Sequence, residues 1–227
     1  MRRPVLLSWS GGKDAAWTLH TLRQRDDVEV VALLTTVNRE FDRIAMHGIR
    51  RDVLQAQANA TGLPLIEAEI EPQCDNARYE TAFAAALDRA RQRWPALETI
   101  AFGDLFLEDV RSWREASCAT LGWRIDTPLF GENTARLARE MIAGGLRAHL
   151  CCVDTQQLDA TFSGRAFDDT LLAALPNDCD PCGENGEFHT LVVGGPMFER
   201  AIDVRPGEQV LRDERFYYTD FLLVDAP

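Results

Sequence analysis

The sequence predicts an α/β fold: a parallel β-sheet wound with helices, followed by a second, smaller α/β lobe. Three observations carry the prediction. Short apolar runs alternate with segments of helical spacing through residue 102, the rhythm of successive βαβ units. The runs themselves, such as VLLSW and VEVVALLTTV, are continuously apolar or β-branched, which fits strands buried within a sheet. A Gly-Gly pair stands at the first strand-to-helix junction, where sheets of this kind bind phosphate.

The elements follow in order. Residues 4–9 form a first buried strand. Residues 13–25 carry Ala16, Trp17, Leu19 and Leu22 at helical spacing. Residues 28–37 are a second strand, and residues 49–60 a helix that ends at Gly62. Residues 63–70 give a third strand. Residues 76–93 are alanine-rich and helical, with Pro95 as the stop. Residues 98–102 form a fourth strand that leads into Gly103-Asp104. Beyond this point residues 107–121 read as helix, 126–130 as a short extended piece and 134–143 as a helix stopped by Gly144-Gly145. Residues 146–153 are a strand. A turn-rich stretch, 175–186, holds Pro176, Pro181, Gly183 and Gly186. Residues 187–193 and 201–224 read as strands joined by turns. No Ser/Gly linker divides the chain, so two closely packed lobes are expected, assigned to residues 1–110 and 111–227.

Hydrophobic residues make up 46% of the 227, enough for a substantial core. No stretch reaches the roughly 18 apolar residues of a membrane helix. The amino end, MRRPVLLSWSGGKD, has neither a long apolar h-region nor a small-residue cleavage site, so a signal peptide is not expected and the protein is placed in the cytoplasm. The net charge of −12 argues against nucleic acid as a partner, because sequence-independent phosphate binding needs clustered Lys and Arg. Six cysteines, Cys74, Cys118, Cys151, Cys152, Cys179 and Cys182, read as reduced thiols in such a compartment.

One feature of the composition bears on chemistry. Of the 24 Lys plus Arg, Lys13 is the sole lysine. Arginine fills every other cationic position, so the surviving lysine is informative: a compact ammonium on a flexible stem suits a phosphate-contacting loop better than a planar guanidinium. Lys13 lies in Ser8-Trp9-Ser10-Gly11-Gly12-Lys13-Asp14. This is not a Walker loop, which needs G-x-x-x-x-G-K-[ST]. It has the means to hold phosphate all the same. Gly11 and Gly12 let several N–H groups turn to one point, and the helix that follows offers its free amides and positive dipole end. Ser8 and Ser10 add hydroxyls, and Asp14 either caps the helix or helps to hold magnesium. The plainer alternative is a tight turn with Asp14 as its cap.

SGGKD after a first strand resembles the pyrophosphate loop of the ATP pyrophosphatase group, which cleaves ATP between the α and β phosphates and activates its partner as an adenylate. Ala15 stands where that group's pattern has Ser or Thr. Three further stretches extend the resemblance. They are HGIR (47–50), FGDLFLEDVRSWRE (102–115) and DPCGENGEFHTLVVGGPMF (180–198), the last preceded by FSGRAFDDTLLAALP from Phe162. Together they are similar to the diphthine–ammonia ligase family, in its bacterial branch, over residues 5 to 198. The resemblance implies a Rossmann-like domain of the adenine nucleotide alpha hydrolase type, followed by a smaller α/β domain carrying GENGEFHT. It implies ATP and Mg2+ as cofactors. The implied reaction joins ammonia to a carboxylate and yields AMP and pyrophosphate. The family's acceptor is a modified histidine on an elongation factor of eukaryotes and archaea. Bacteria do not make that modification, so here the acceptor, small molecule or protein side chain, is unknown.

Site residues are assigned on these grounds. Gly11, Gly12 and Lys13 cradle the departing pyrophosphate, with Ser8, Trp9, Ser10, Asp14 and Gly103 around the nucleotide. His47 and Arg50 follow the second strand, where adenine or ribose could lie. Asp104 is a magnesium ligand, an orienting group or the cap of the next helix. Glu187 and His189 fall on one side of a strand, where a carboxylate beside an imidazole can bind ammonium and accept its proton. Lys13, Asp104, Glu184, Glu187 and His189 are the catalytic candidates, with Glu184 also suited to a cationic part of the substrate, and Asn185, Gly186, Arg165, Asp168 and Arg114 are placed at the substrate. Arg111 and Arg114, one helical turn apart, receive an anion or lie on a solvated face. Cys179 and Cys182 form a CxxC that lacks the second pair of a structural zinc site. Two alternatives stand beside the ligase: an RNA-modifying thiolase, favoured by the CxxC, and a non-catalytic nucleotide-binding protein, favoured by Ala15. A homodimer is left open.

Overall fold

The computed structural model describes residues 2–44, 47–71 and 75–224. Cys74 lies outside them. In chain order the elements are β1 (Arg3–Ser8), α1 (Lys13–Arg23), β2 (Val28–Asn38), β3 (Arg43–Ile44), α2 (Arg51–Thr61), β4 (Leu65–Ile70), α3 (Asn76–Arg93), β5 (Thr99–Ala101), α4 (Glu108–Thr120), β6 (Arg124–Asp126), α5 (Thr134–Ala143), β7 (Arg147–Asp154), α6 (Asp169–Ala174), β8 (Phe188–Gly194), β9 (Val204–Arg212) and β10 (Phe216–Leu223). A 3-10 turn, Ala160–Phe162, follows β7.

The first sheet places its parallel strands in the order β4-β2-β1-β5-β6, with β3 antiparallel against the end of β2. Strand order therefore reverses between β1 and β5. The carboxyl ends of these two strands flank the crevice where ligands bind in open α/β sheets. Side chains of β1 alternate across the sheet as a strand requires. Val5 and Leu7 join one apolar cluster with α1 and α2, while Leu6 joins another with Ala86 and Leu87 of α3 and Cys118 of α4. Helices α1 and α2 thus cover one face, and α3 and α4 the other.

The second sheet is wholly antiparallel, ordered β8-β7-β10-β9. Its Leu150, Val153 and Leu191 belong to the same cluster as Val5, Leu7 and Leu19, so this sheet packs on the α1/α2 side. The fold class matches expectation, and α3 and α5 have the expected bounds. The differences are local. Arg50 is extended and residue 49 is outside any helix, so α2 starts at Arg51. Only Asp126 of the stretch 126–130 is in a strand; beyond it the chain turns, with Phe130 N–H donating to Thr127 O at 3.0 Å. Strand β3 and helix α6 are too short for periodicity to show. Among the described residues no helix is long and apolar enough to cross a membrane.

Candidate active site

A cavity of about 400 Å3 opens over the carboxyl ends of β1 and β5. One wall is the loop after β1, with Ser8, Ser10, Lys13 and Asp14. A second is the loop after β5, with Gly103 and Asp104, backed by Arg114 of α4. The third is the loop entering β8, with Cys182, Glu184, Gly186, His189 and Thr190, and His47 closes the top.

The loop after β1 is held from behind. Gly11 sits at φ 77, a left-handed conformation that side chains other than glycine rarely tolerate. Its carbonyl accepts from Val192 N–H of β8 at 2.9 Å and from Gln57 Nε2 at 2.9 Å. Gln57, fully buried on α2, also donates to Val192 O at 2.7 Å and accepts from Trp9 Nε1 at 3.0 Å. Lys13 N–H donates to Thr190 Oγ1 at 3.0 Å. A Cβ on Gly103 would lie 2.8 Å from the Asp14 carbonyl carbon, so close approach of two backbones requires that glycine, whereas one on Gly12 would lie 2.9 Å from His47 Nε2 and would displace that ring. Helix α1 starts with no side-chain cap, which removes the capping role for Asp14. Helix α4 starts after Leu107, also without one, so Asp104 is not a cap either.

Lys13 is buried, its acidic neighbours are partly buried, and the set is incompletely satisfied. Lys13 is 2% exposed. Its Nζ donates to Asp14 Oδ2 at 2.8 Å and to Cys182 O, and it lies 5.6 Å from the centroid of the Phe188 ring. Burial works against its ammonium, but Asp14, Cys182 and Glu184 outweigh this and raise its pKa. Burial raises the carboxyls of Asp14 and Asp104 against the pull of Lys13 and Arg114 respectively. Asp14 Oδ1 and Asp104 Oδ2 are buried without a hydrogen-bond partner. Glu184 is pushed up to about 7, first by burial and then by Asp14; its Oε2 accepts from Leu105 N–H at 3.3 Å. His47 and His189 face each other with ring centroids 4.6 Å apart. Burial lowers His189 to about 4 and His47 well below its usual value, with Lys13 adding to both. Both shifts favour the neutral imidazole.

Other assigned residues lie elsewhere. Trp9 is buried beneath the loop. Glu187 precedes β8 by one residue and is 2% exposed. Its carboxylate accepts from Asp180 N–H at 2.8 Å, Asn185 N–H at 2.9 Å and Asn185 Nδ2 at 3.0 Å, so it shapes the loop that presents Glu184 and does not line the cavity. Arg50 donates to Asp220 at 2.6–3.1 Å. Arg165 stacks on Phe162, and Asp168 caps α6 through Leu171 N–H at 2.8 Å. Arg114 pairs with Asp104 at 3.3 Å, whereas Arg111 lies over Phe130 at 4.4 Å. Cys179 and Cys182 are buried, and burial pushes both thiols up to about 12. Gln57 and Thr190 went unassigned in the sequence. The signal for Gln57 was there: an amide at a core position between Val53, Leu54 and Ala58 demands a partner.

Both halves of this constellation match family models. Residues 1–125 match the diphthamide synthase N-terminal domain. The chain belongs to the diphthamide synthase family. Residues 133–221 match the diphthamide synthase C-terminal domain, so the loop after β1 falls within one match, and Glu184 and His189 within the other. The chain is similar to a protein of Schizosaccharomyces pombe named diphthine–ammonia ligase, at 27% identity over 88% of this chain. It spans 36% of that relative's length. A mouse protein of the same name is 23% identical over 93% of this chain and 85% of its own length. The diphthamide synthase assignment thus covers both sheets that wall the cavity.

Proposed function

We propose that this chain is an ATP-dependent ligase that adenylates a carboxylate and hands it to ammonia, releasing pyrophosphate and AMP. The observation that carries the reading is the sole lysine of the chain, buried at the start of α1 beside a cavity in which one oxygen each of Asp14 and Asp104 lacks a hydrogen-bond partner. The names of the two relatives support it. In this reading the parallel sheet forms the ATP half and the antiparallel sheet the acceptor half.

A carboxylate resists ammonia because oxide is a very poor leaving group; joined to AMP, it loses a phosphate ester instead. Gly11, Gly12 and Lys13 hold the departing pyrophosphate, with the first-turn amides of α1 adding their dipole. Positioning and charge stabilisation supply most of the rate in such transfers. Asp14 and Asp104 fit magnesium, since their unpartnered oxygens are hard donors; they would hold the ion, which would supply positive charge against the phosphates. Ammonia then attacks the acyl carbon, AMP leaves, and the nitrogen sheds a proton. Two acceptors face that point: the Glu184 carboxylate, poised near neutrality, and the neutral His189 imidazole.

The test is pyrophosphate release from ATP and magnesium with a panel of carboxylic acids, with and without ammonium. AMP and amide formed in step with pyrophosphate are expected. Nucleotide bound at Lys13 with no turnover under any acid would favour a sensor, and the ligase reading would fall.

A further inference from the structure

We infer that Gln57 is a positioning residue for the phosphate cradle: with Val192 of β8 it fixes the Gly11–Gly12 peptide so that the Gly12 N–H is aimed at the outer phosphates. The inference rests on the ATP-dependent reading of the loop after β1. The argument starts from the two glycines. A peptide flanked by glycine on both sides turns over at little steric cost, so the loop's own sequence leaves the direction of this carbonyl open. Only one direction suits an anion. In a trans peptide the C=O and the following N–H point opposite ways. One orientation offers phosphate a donor; the other offers it an oxygen.

The structure holds the first orientation from behind. Gly11 O accepts from Gln57 Nε2 and from Val192 N–H, each at 2.9 Å. Gly12 N–H therefore points the other way, to Ser10 Oγ at 3.3 Å, and Ser10 lines the cavity. That bond is longer than an ordinary N–H···O contact, so a phosphate oxygen can displace the hydroxyl and take a charge-assisted bond in its place.

Gln57 is itself held in one orientation. Trp9 Nε1 can only donate, and it donates to Gln57 Oε1 at 3.0 Å. The amide nitrogen is thereby turned to Gly11 O and to Val192 O, the latter at 2.7 Å. Strand β8 is the outermost of its sheet, and its free edge at Val192 is taken up by this loop and by Gln57. Turning the Gly11–Gly12 peptide over would leave two buried donors, Gln57 Nε2 and Val192 N–H, short of an acceptor, which is costly. Packing alone would ask for an apolar residue here, beside Val53, Leu54 and Ala58 on the buried face of α2. The amide is explained by what it holds.

The experiment is calorimetric titration of ATP, inorganic tripolyphosphate and AMP, with magnesium, into the wild type, Gln57→Leu, Gln57→Glu and Lys13→Met, with thermal melts of each. Gln57→Leu keeps the bulk and removes the donor. Gln57→Glu keeps the acceptor for Trp9 but, when ionised, sets an oxygen against Gly11 O. We expect both Gln57 variants to weaken ATP and tripolyphosphate about tenfold, the scale of one charge-assisted hydrogen bond, and to leave AMP, which lacks the outer phosphates, within about twofold. Lowering the pH should bring ATP affinity in Gln57→Glu back towards that of the wild type at the same pH, because the protonated acid donates again. Equal losses for AMP and ATP, in step with a fall in melting temperature, would make Gln57 merely structural and overturn the inference. Unchanged ATP affinity in Gln57→Leu, with Lys13→Met still losing it, would overturn it too. A measurement on the wild type stands whether or not the variants fold. With isotope-labelled glycine, tripolyphosphate should shift the Gly12 amide resonance, and saturation with that resonance unmoved would overturn the orientation. If Lys13→Met leaves ATP affinity unchanged, or the wild type binds neither ATP nor tripolyphosphate, the loop reading itself fails.

Discussion

Two charged clusters border the segment 47–50, and they are built on opposite terms. Around Asp220 everything is matched. Arg43 donates to it at 2.7 and 3.1 Å, and Arg50 adds three contacts of 2.6–3.1 Å. Burial pushes the Asp220 carboxyl up, yet the two guanidinium groups bring it down to about 2. Around Lys13 the matching is incomplete. Asp14, Asp104 and Glu184 all have raised carboxyls, and two of their oxygens have no partner. Satisfied charge of the first kind ties β3 and the start of α2 to β10. Unsatisfied charge of the second kind is costly in a resting protein and fits the ligand-binding role proposed for this cavity.

The largest expected effect breaks the second cluster. Lys13→Met should lower pyrophosphate release by about 10²–10³-fold, the scale of losing one charged stabiliser of a developing anion. Stability should hardly fall, because Asp14, already raised by burial, takes a proton once its cation is gone. A large drop in melting temperature with activity retained would turn the contrast round and make Lys13 structural.

Next is the satisfied cluster. Asp220→Asn strips two arginines of their shared carboxylate and should cost about 2–3 kcal/mol by denaturant unfolding, with a modest loss of activity through His47. The wild-type pH dependence follows the same pair. A folded pKa of about 2 against an unfolded value near 3.9 gives stability that is complete above pH 4 and disappears as pH falls towards 2. A variant whose acid unfolding coincides with that of the wild type would show the clamp to be idle.

These contrasts also mark what the sequence made legible. The parallel sheet was visible because each apolar run is a strand covered on both faces, and the loop was visible because Lys13 has no other lysine for company. Glu184 could be placed near the site but not told from Glu187. One faces the cavity and the other folds back onto Asn185 and Asp180, and that choice is made by a turn before β8, where strand alternation does not yet apply. Arg50 looked like a nucleotide contact because its partner, Asp220, lies 170 positions away. Pairings of that range leave no local pattern. Gln57 was readable in principle, as a lone amide on the buried stripe of α2.

A smaller effect sharpens the first cluster. A carboxyl raised to about 7 favours the folded state while protonated, so its contribution is complete below the unfolded value near 4.3 and is lost as pH rises through 7. Glu184→Gln should therefore be more stable than the wild type at pH 8 by about 1–2 kcal/mol, after solvent screening of a partly exposed group, and equal to it near pH 4. In the wild type, activity should rise with an inflection near pH 7, and in Glu184→Gln that inflection should vanish. An unchanged profile would move the proton acceptor to His189.

The smallest effect is expected at the CxxC, and its smallness is informative. Cys179 and Cys182 border the same loop as Glu184, but burial holds both thiols up to about 12. Cys182 Sγ donates to Thr134 O at 3.4 Å and Cys179 Sγ to Asp180 O at 3.7 Å. Among the described residues no group of three His, Cys, Asp or Glu is arranged to hold a metal. Thiolate is the reactive form, so alkylation at pH 8 should be slow until the protein unfolds. Cys179→Ala should keep activity within about twofold and alter no metal content. Rapid labelling of Cys182 in the native state, suppressed by ATP, would move the pair from the satisfied class to the unsatisfied one. Sulfur chemistry would then be a competitor for the ligase, on the same side of the cavity and with the same lysine beside it.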